Sequence, residues 1–306
     1  MNKISSLIIA TLSLVATTGC TQSQPINKNY DKAVMERFGT GAAEIAVYDL
    51  EQNRYNDVHS DGTFMSIWVT EDFLTDKQVK DEGISKGSNT TVLKNIQRRL
   101  FTTGLYDYSM MHTTFTPIDR TAHPHTLKMT LSSQDWCGHS FSQINRDGRQ
   151  YKSKLLSYFE SEGDTETKFP LAVMEDEIFN LIRMDVGLIP QGKMEVIPSA
   201  VYVRLTHIPH KPYSATVNVS NYTGSDFKGS SLKVVSINYP DFQRQLEIVF
   251  DEADANTIVG WTDTYPSIFD RQPRTTKATL RTVKKLDYWN KHSADDVALR
   301  QEFGLK

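Results

Sequence analysis

Pro212–Ser220 reads PYSATVNVS, and this nonapeptide decides the fold class. Tyr213, Ala215, Val217 and Val219 alternate with Ser214, Thr216, Asn218 and Ser220. Successive side chains of a strand point to opposite faces, so this segment presents one apolar and one wet face. That is the pattern of a half-buried strand in an antiparallel sheet. Arg244–Glu252 repeats it, with Leu246, Ile248 and Phe250 between Gln245, Glu247 and Asp251. His125–Ser132 sets Leu127, Met129 and Leu131 against Lys128 and Thr130. Ser199–His207, Leu232–Tyr239 and Thr276–Leu286 alternate more weakly, and Ala43–Tyr48, Thr63–Val69 and Tyr106–Phe115 are also expected as strands. Turn chemistry separates them at Asn221–Gly229, Pro240-Asp241 and Asp251–Asn256.

Helical spacing is confined to Asp31–Phe38, Ala172–Met184 and Ser293–Phe303. The expected fold is therefore mainly β, an antiparallel curved sheet or barrel with two or three short helices. It forms a single β-rich domain over residues 31–306, with a weak internal break at Ser161–Lys168.

Met1–Cys20 reads MNKISSLIIATLSLVATTGC. One cation, an apolar run from Leu7 to Ala16 and small residues before a cysteine make a secretory signal over residues 1–19, too short for a stable membrane span. The approach to Cys20 resembles a bacterial lipobox, with Thr17 where leucine is usual. Cys20 is then the lipidation site, carrying acyl chains such as palmitate. Residues 20–30 form a polar tether, and the chains on Cys20 supply the membrane link. No aspartate follows Cys20, which points to the outer membrane and its periplasmic face.

Without the signal, 33 of the 34 Lys and Arg remain against 37 Asp and Glu. This mildly acidic balance argues against nucleic acid, which needs a basic stripe to displace counterions. Of 2 cysteines, acylated Cys20 leaves Cys137 without a disulfide partner.

The most unusual string is Asp135-Trp136-Cys137-Gly138-His139. On a strand, Cys137 and His139 would share a face, about 6.8 Å apart. His139 could then draw the thiol towards thiolate, the reactive species. These two residues are the candidate catalytic pair for an envelope hydrolase or thiol enzyme. No third orienting residue is visible, and the apolar neighbourhood favours Cys137 as a small packed core residue beside Trp136. His123 with His125, and His207 with His210, have spacings of candidate metal ligands, although a zinc site wants three or four converging groups. Met110-Met111-His112 reads as strand packing, and Glu71–Glu82 as a solvated loop or short helix. No phosphate cradle, G-x-S-x-G elbow or H-E-x-x-H occurs, and no cofactor is expected.

Several strings resemble a family together: Ala42–Ile45 (AAEI), Tyr48–Leu50 (YDL), Arg54-Tyr55, Val69–Phe73 (VTEDF) with Lys77–Lys80 (KQVK), Tyr108–Met111 (YSMM), Asp135–His139 (DWCGH), Arg204–Pro209 (RLTHIP), and Thr275–Lys277 (TTK) through to Trp289. The family is one of uncharacterised secreted lipoproteins of Bacteroidetes-type bacteria, some labelled septum formation inhibitor Maf. The resemblance implies an envelope location and no particular activity. Maf nucleotide pyrophosphatases carry an S-x-S-P-R-R loop on an α/β fold. This chain has no such string, and its strands alternate where a buried parallel sheet would run continuously apolar.

The expected function is a non-catalytic binding or scaffolding lipoprotein. Curved sheets can enclose one small ligand, and 14 Phe, 13 Tyr and 9 Met could line a site for an apolar one. An envelope protein is the other partner considered.

Overall fold

The structure is a computed structural model that describes residues 30–84 and 86–305. The expected signal peptide, Cys20 and nearly all of the expected tether lie outside them. Among the described residues, sixteen strands join one sheet. They are β1 (Ala43–Arg54), β2 (Asp57–Leu74), β3 (Val79–Lys80), β4 (Asn89–Thr103), β5 (Tyr106–Pro117), β6 (Lys128–Asp135), β7 (Gly138–Asp147), β8 (Gln150–Ser157), β9 (Thr165–Pro170), β10 (Val173–Met174), β11 (Gly192–Ile197), β12 (Tyr213–Asn221), β13 (Leu232–Tyr239), β14 (Arg244–Asp251), β15 (Thr257–Pro266) and β16 (Pro273–Leu286). The helices are α1 (Tyr30–Phe38), α2 (Ile178–Met184), α3 (Ala200–Thr206) and α4 (Leu299–Glu302).

The spatial order runs β10 through β16 in sequence, then β1, β2 and β4 through β9, with β3 off the path against β2. Every ladder is antiparallel except the short β10–β11 pair. The join between the two runs is β1 on β16, from Ala43 opposite Leu286 to Glu51 opposite Lys277. First and last strands thus close the chain on itself, and the break in the sheet falls mid-sequence. Its edges, β9 and β10, are separated only by Leu171 and Ala172. The Cα atoms of Pro170 and Val173 are then at most about 11 Å apart. The sheet must roll round until its edges nearly meet, yet its path does not close. It is an open roll, so of the two expected forms the curved sheet is found rather than the barrel.

The chain between those edges turns inward and fills the roll. All seven residues of α2 are buried. A helix apolar nearly all round needs such a place, and its two polar members find partners there. Asn180 donates to the Leu93 carbonyl at 3.0 Å and to Thr116 Oγ1 at 2.9 Å. Arg183 donates to the Ala255 carbonyl at 3.0 Å and pairs with Glu44. Around α2 and α3, the inward side chains Tyr48, Phe64, Trp68, Leu93, Tyr151, Ile248 and Trp261 belong to one core cluster.

Three local expectations are corrected. Ser199–His207 is the helix α3 and not a strand. Ser199 caps it, its Oγ accepting from the Val201 N–H at 3.3 Å, and His207 ends it in the left-handed region at φ 58°. Val201, Tyr202 and Val203 favour strands intrinsically, but the roll interior rewards a compact plug, and tertiary burial overrides propensity. Glu71 and Asp72 belong to β2, and Val79–Lys80 pairs with it, so half of this charged run is sheet, with a turn at Thr75–Gln78 and loop at Asp81 and Glu82. Cys137 is exposed, as described next.

Candidate functional site

A cleft of about 400 Å³ opens on the inner side of β6–β9, where α3 and the segment after it face the sheet. Its apolar wall is Leu131, Leu155, Phe169, Val203 and Ile208. Hydroxyls of Ser140, Ser142, Ser153, Thr165 and Thr167 line the strand side. The alternation explains this: Ser140 and Ser142 sit two apart on β7, and Thr165 and Thr167 two apart on β9, so each pair shares a face.

The mouth carries a charged latch between the β8–β9 loop and the end of α3. Glu162 accepts from Arg204 at 3.1 Å and bonds His207 Nδ1 at 2.5 Å, and Ser157 donates to its other oxygen. Burial pushes the Glu162 carboxyl up, but Ser157, His207 and Arg204 outweigh it and hold it below its ordinary value. The Arg204 guanidinium also lies 4.6 Å above the Phe159 ring. Lys168 and Lys211 complete the lining, but the Lys168 ammonium is held by Asp147 at 2.9 Å, which leaves Arg204 and Lys211 beside the Glu162 carboxylate.

At the inner end stands His210. Its ring hydrogen-bonds the Pro198 backbone. Proline has no N–H, so the ring must be the donor and the carbonyl the acceptor. Nε2 has no partner and is sealed from solvent, although part of the residue remains accessible. Nδ1 therefore carries the proton, and Nε2 offers a lone pair. Burial pushes the imidazole down to about 4, with the Asp176 carboxylate opposing, so it is neutral near pH 7. Behind it, Asp176 lies 3.2 Å from His112 Nε2. Burial pushes Asp176 up, but His112, the Ala200 N–H and Ser199 bring it to about 2.

Of the residues singled out from sequence, His207 and His210 meet at this cleft. His207 is exposed at its mouth and His210 lies deeper. His207 ends α3 and the chain turns through Pro209, placing both on one wall where strand alternation would have parted them. His123 and His125 lie on the β5–β6 connection, where burial pushes His125 below its ordinary value. Among the described residues, no group of three or more His, Cys, Asp or Glu is placed to hold a metal ion.

Cys137 sits in the β6–β7 turn, exposed, and not in the packed sheet that was expected. Asp135 and Gly138 make the turn: Asp135 Oδ1 accepts from the Cys137 N–H at 2.6 Å. A side chain at position 138 would collide with Tyr158, its Cβ 2.6 Å from that ring's Cγ. Partial desolvation and then the Asp135 carboxylate push the thiol above its ordinary value. His139 turns elsewhere, its Nε2 bonded to Ser132 Oγ at 3.0 Å. The thiol is accessible but not activated. A thiol reagent is expected to label Cys137 in the folded protein without denaturant, slowly near pH 6 and faster as pH rises. Rapid labelling that persists at pH 6 would show an activated thiolate and refute this assignment.

Sequence reasoning missed the serine and threonine wall, Arg204 and Glu162. The i, i+2 hydroxyls of β7 and β9 were a usable signal, but nothing local says that this face turns inward. Searches of protein-family models, curated proteins and solved structures return no match to this chain.

Proposed function

We propose that the protein is an envelope lipoprotein, anchored through acyl chains on Cys20, that binds an amphiphilic ligand in the β6–β9 cleft and does not transform it. The cleft itself carries this reading. Its volume of about 400 Å³ suits a small ligand or one acyl chain. Leu131, Leu155, Phe169, Val203 and Ile208 offer apolar contact. The hydroxyl wall offers hydrogen-bond partners to a polar group. Lys211 and Arg204, the latter shared with Glu162, favour a carboxylate or phosphate head. The rival thiol-enzyme reading gains accessibility for Cys137 but loses the depressed pKa and the His139 base that it requires.

The chain 21–306 contains every described strand and the core. That chain is expected to take up a fluorescent fatty acid saturably. Val203→Trp, which fills the cleft, should weaken uptake about tenfold, a change of about 1.4 kcal/mol. A clean ligand-free native mass with no saturable uptake would remove the ligand-binding reading and leave scaffolding.

A further inference from the structure

Antiparallel pairing brings six turns to one end of the roll, β13–β14 among them, and five form a rim: β1–β2, β4–β5, β6–β7, β8–β9 and β15–β16. Each presents an apolar side chain, and the rings run in a chain along the rim. Phe269 lies 5.1 Å from Tyr55, Tyr55 6.5 Å from Tyr106, and Tyr106 6.3 Å from Trp136. Tyr158 packs over Gly138 in the next turn, 5.4 Å from Phe159. Phe159 in turn lies 5.4 Å from His207 at the cleft mouth. Exposure is high where the chain projects: 81% for Leu105, 68% for Trp136, 65% for Tyr158 and 53% for Phe269.

The base of this rim is held rigidly. Tyr55 adopts φ 57°, a left-handed conformation costly for a bulky side chain. It is fixed there by the Arg54 guanidinium 4.5 Å from its ring and by a 2.8 Å bond between its hydroxyl and that of Tyr108. Strain maintained in this way, under exposed rings, marks a surface built for contact.

We propose that the rim inserts into the headgroup layer of a zwitterionic lipid bilayer, with the cleft mouth at the membrane surface. Trp and Tyr suit that layer because their rings are apolar with a polar edge. The apolar groups stand on separate turns rather than on one flat face, a shape that a soft headgroup layer accommodates and a folded partner would have to match point by point. Charge selects the lipid. The five turns contain no lysine and one exposed arginine, Arg271, against the exposed acids Glu160 and Asp164 of the β8–β9 loop. Asp107, Asp135 and Asp270 are engaged by Thr102, the Cys137 N–H and Arg274 respectively. With acids in excess, the rim does not recruit an anionic surface. The cleft joins the rim through the β8–β9 loop, which supplies Tyr158 and Phe159 to one and Ser161 and Glu162 to the other. The inference extends the ligand-binding reading by giving the ligand a source and destination, yet the two can fail separately.

The test is flotation of chain 21–306 with phosphatidylcholine vesicles, with and without phosphatidylglycerol. Wild type should float with pure phosphatidylcholine, insensitively to salt and without gain from phosphatidylglycerol. Leu105→Ser with Trp136→Ala should weaken partitioning about tenfold or more while the circular dichroism spectrum and melting temperature stay unchanged. Leu105→Ser alone, at a side chain with almost no packing to lose, should give a smaller loss in the same direction. Val203→Trp should float like wild type, which separates the rim from the cleft. Absence of flotation, undiminished flotation of the double variant, or binding only to anionic vesicles would each overturn the proposal. So would self-association in sedimentation velocity that disappears with the same substitutions, because it would assign the rim to a second copy of the chain.

Discussion

Arg244→Ala is expected to destabilise the protein by about 3–5 kcal/mol, read as a lower urea midpoint, because it strands two buried carboxylates. Arg244 is fully enclosed in the roll. Its Nη1 and Nη2 donate to Glu175 at 2.6 and 2.7 Å, and its Nε and Nη2 to Asp263 at 2.7 and 3.0 Å. Tyr239 adds a 2.8 Å bond to Glu175, and the guanidinium lies 4.0 Å from the Tyr202 ring centre. Burial pushes Arg244 down, but Asp263 and Glu175 outweigh it and keep it charged. Burial leaves Glu175 raised despite its partner. Removing the cation leaves both acids facing one another in a dry interior. Replacing all three residues with apolar ones should cost much less than the single substitution, since no orphaned charge remains. A loss below about 1 kcal/mol for Arg244→Ala would mean that water reaches the group and that the roll is more open than described.

The second large effect is acid destabilisation through His210. Its pKa falls from 6.5 to about 4 in the folded state. The unfolded chain therefore binds a proton first as pH drops. The stabilising contribution is complete above pH 6.5 and is lost as pH falls from 6.5 towards 4. At most it amounts to about 3 kcal/mol, with most of that gone by about pH 4.5. Asp176 is distinct in window: lowered from 3.8 to about 2, its contribution is lost only as pH falls below 3.8. Urea midpoints of wild type and His210→Phe should diverge in slope between pH 7 and 4.5, with the variant flatter. Parallel slopes would place the proton uptake elsewhere.

The sheet was legible wherever one face is wet. In β12, Ala215 and Val217 are buried and Thr216 and Asn218 exposed, and in β14 Leu246 and Ile248 are buried between exposed Gln245 and half-buried Glu247. Local alternation suffices there because burial follows sequence position. It fails where elements are buried all round or not at all. α3 carries strand-forming side chains and was read as a strand, while its buried set, Ala200, Val201, Tyr202, Leu205 and Thr206, makes sense only inside the roll. Cys137 was read as core from its apolar neighbours, although Asp135 and Gly138 were the turn signals that place it outside.

The candidate site shows the same division. His207 and His210 attracted attention from spacing alone. Their companions Ser140, Ser153 and Thr165 come from strands, and Glu162 from the β8–β9 loop, that no short-range pattern connects to them. Sequence by itself determined the class of the protein: a β-rich chain whose period-two segments must pair, headed by a segment that reads as a lipoprotein signal. Tertiary structure alone decided that β16 pairs with β1, that the mid-chain helices enter the roll, and hence that the serines of β7 face α3 and the aromatic turns share one rim. The reason is physical. Strand formation depends on neighbours two residues apart, whereas closure of the roll depends on ladders between residues more than two hundred positions apart, such as Ala43 and Leu286.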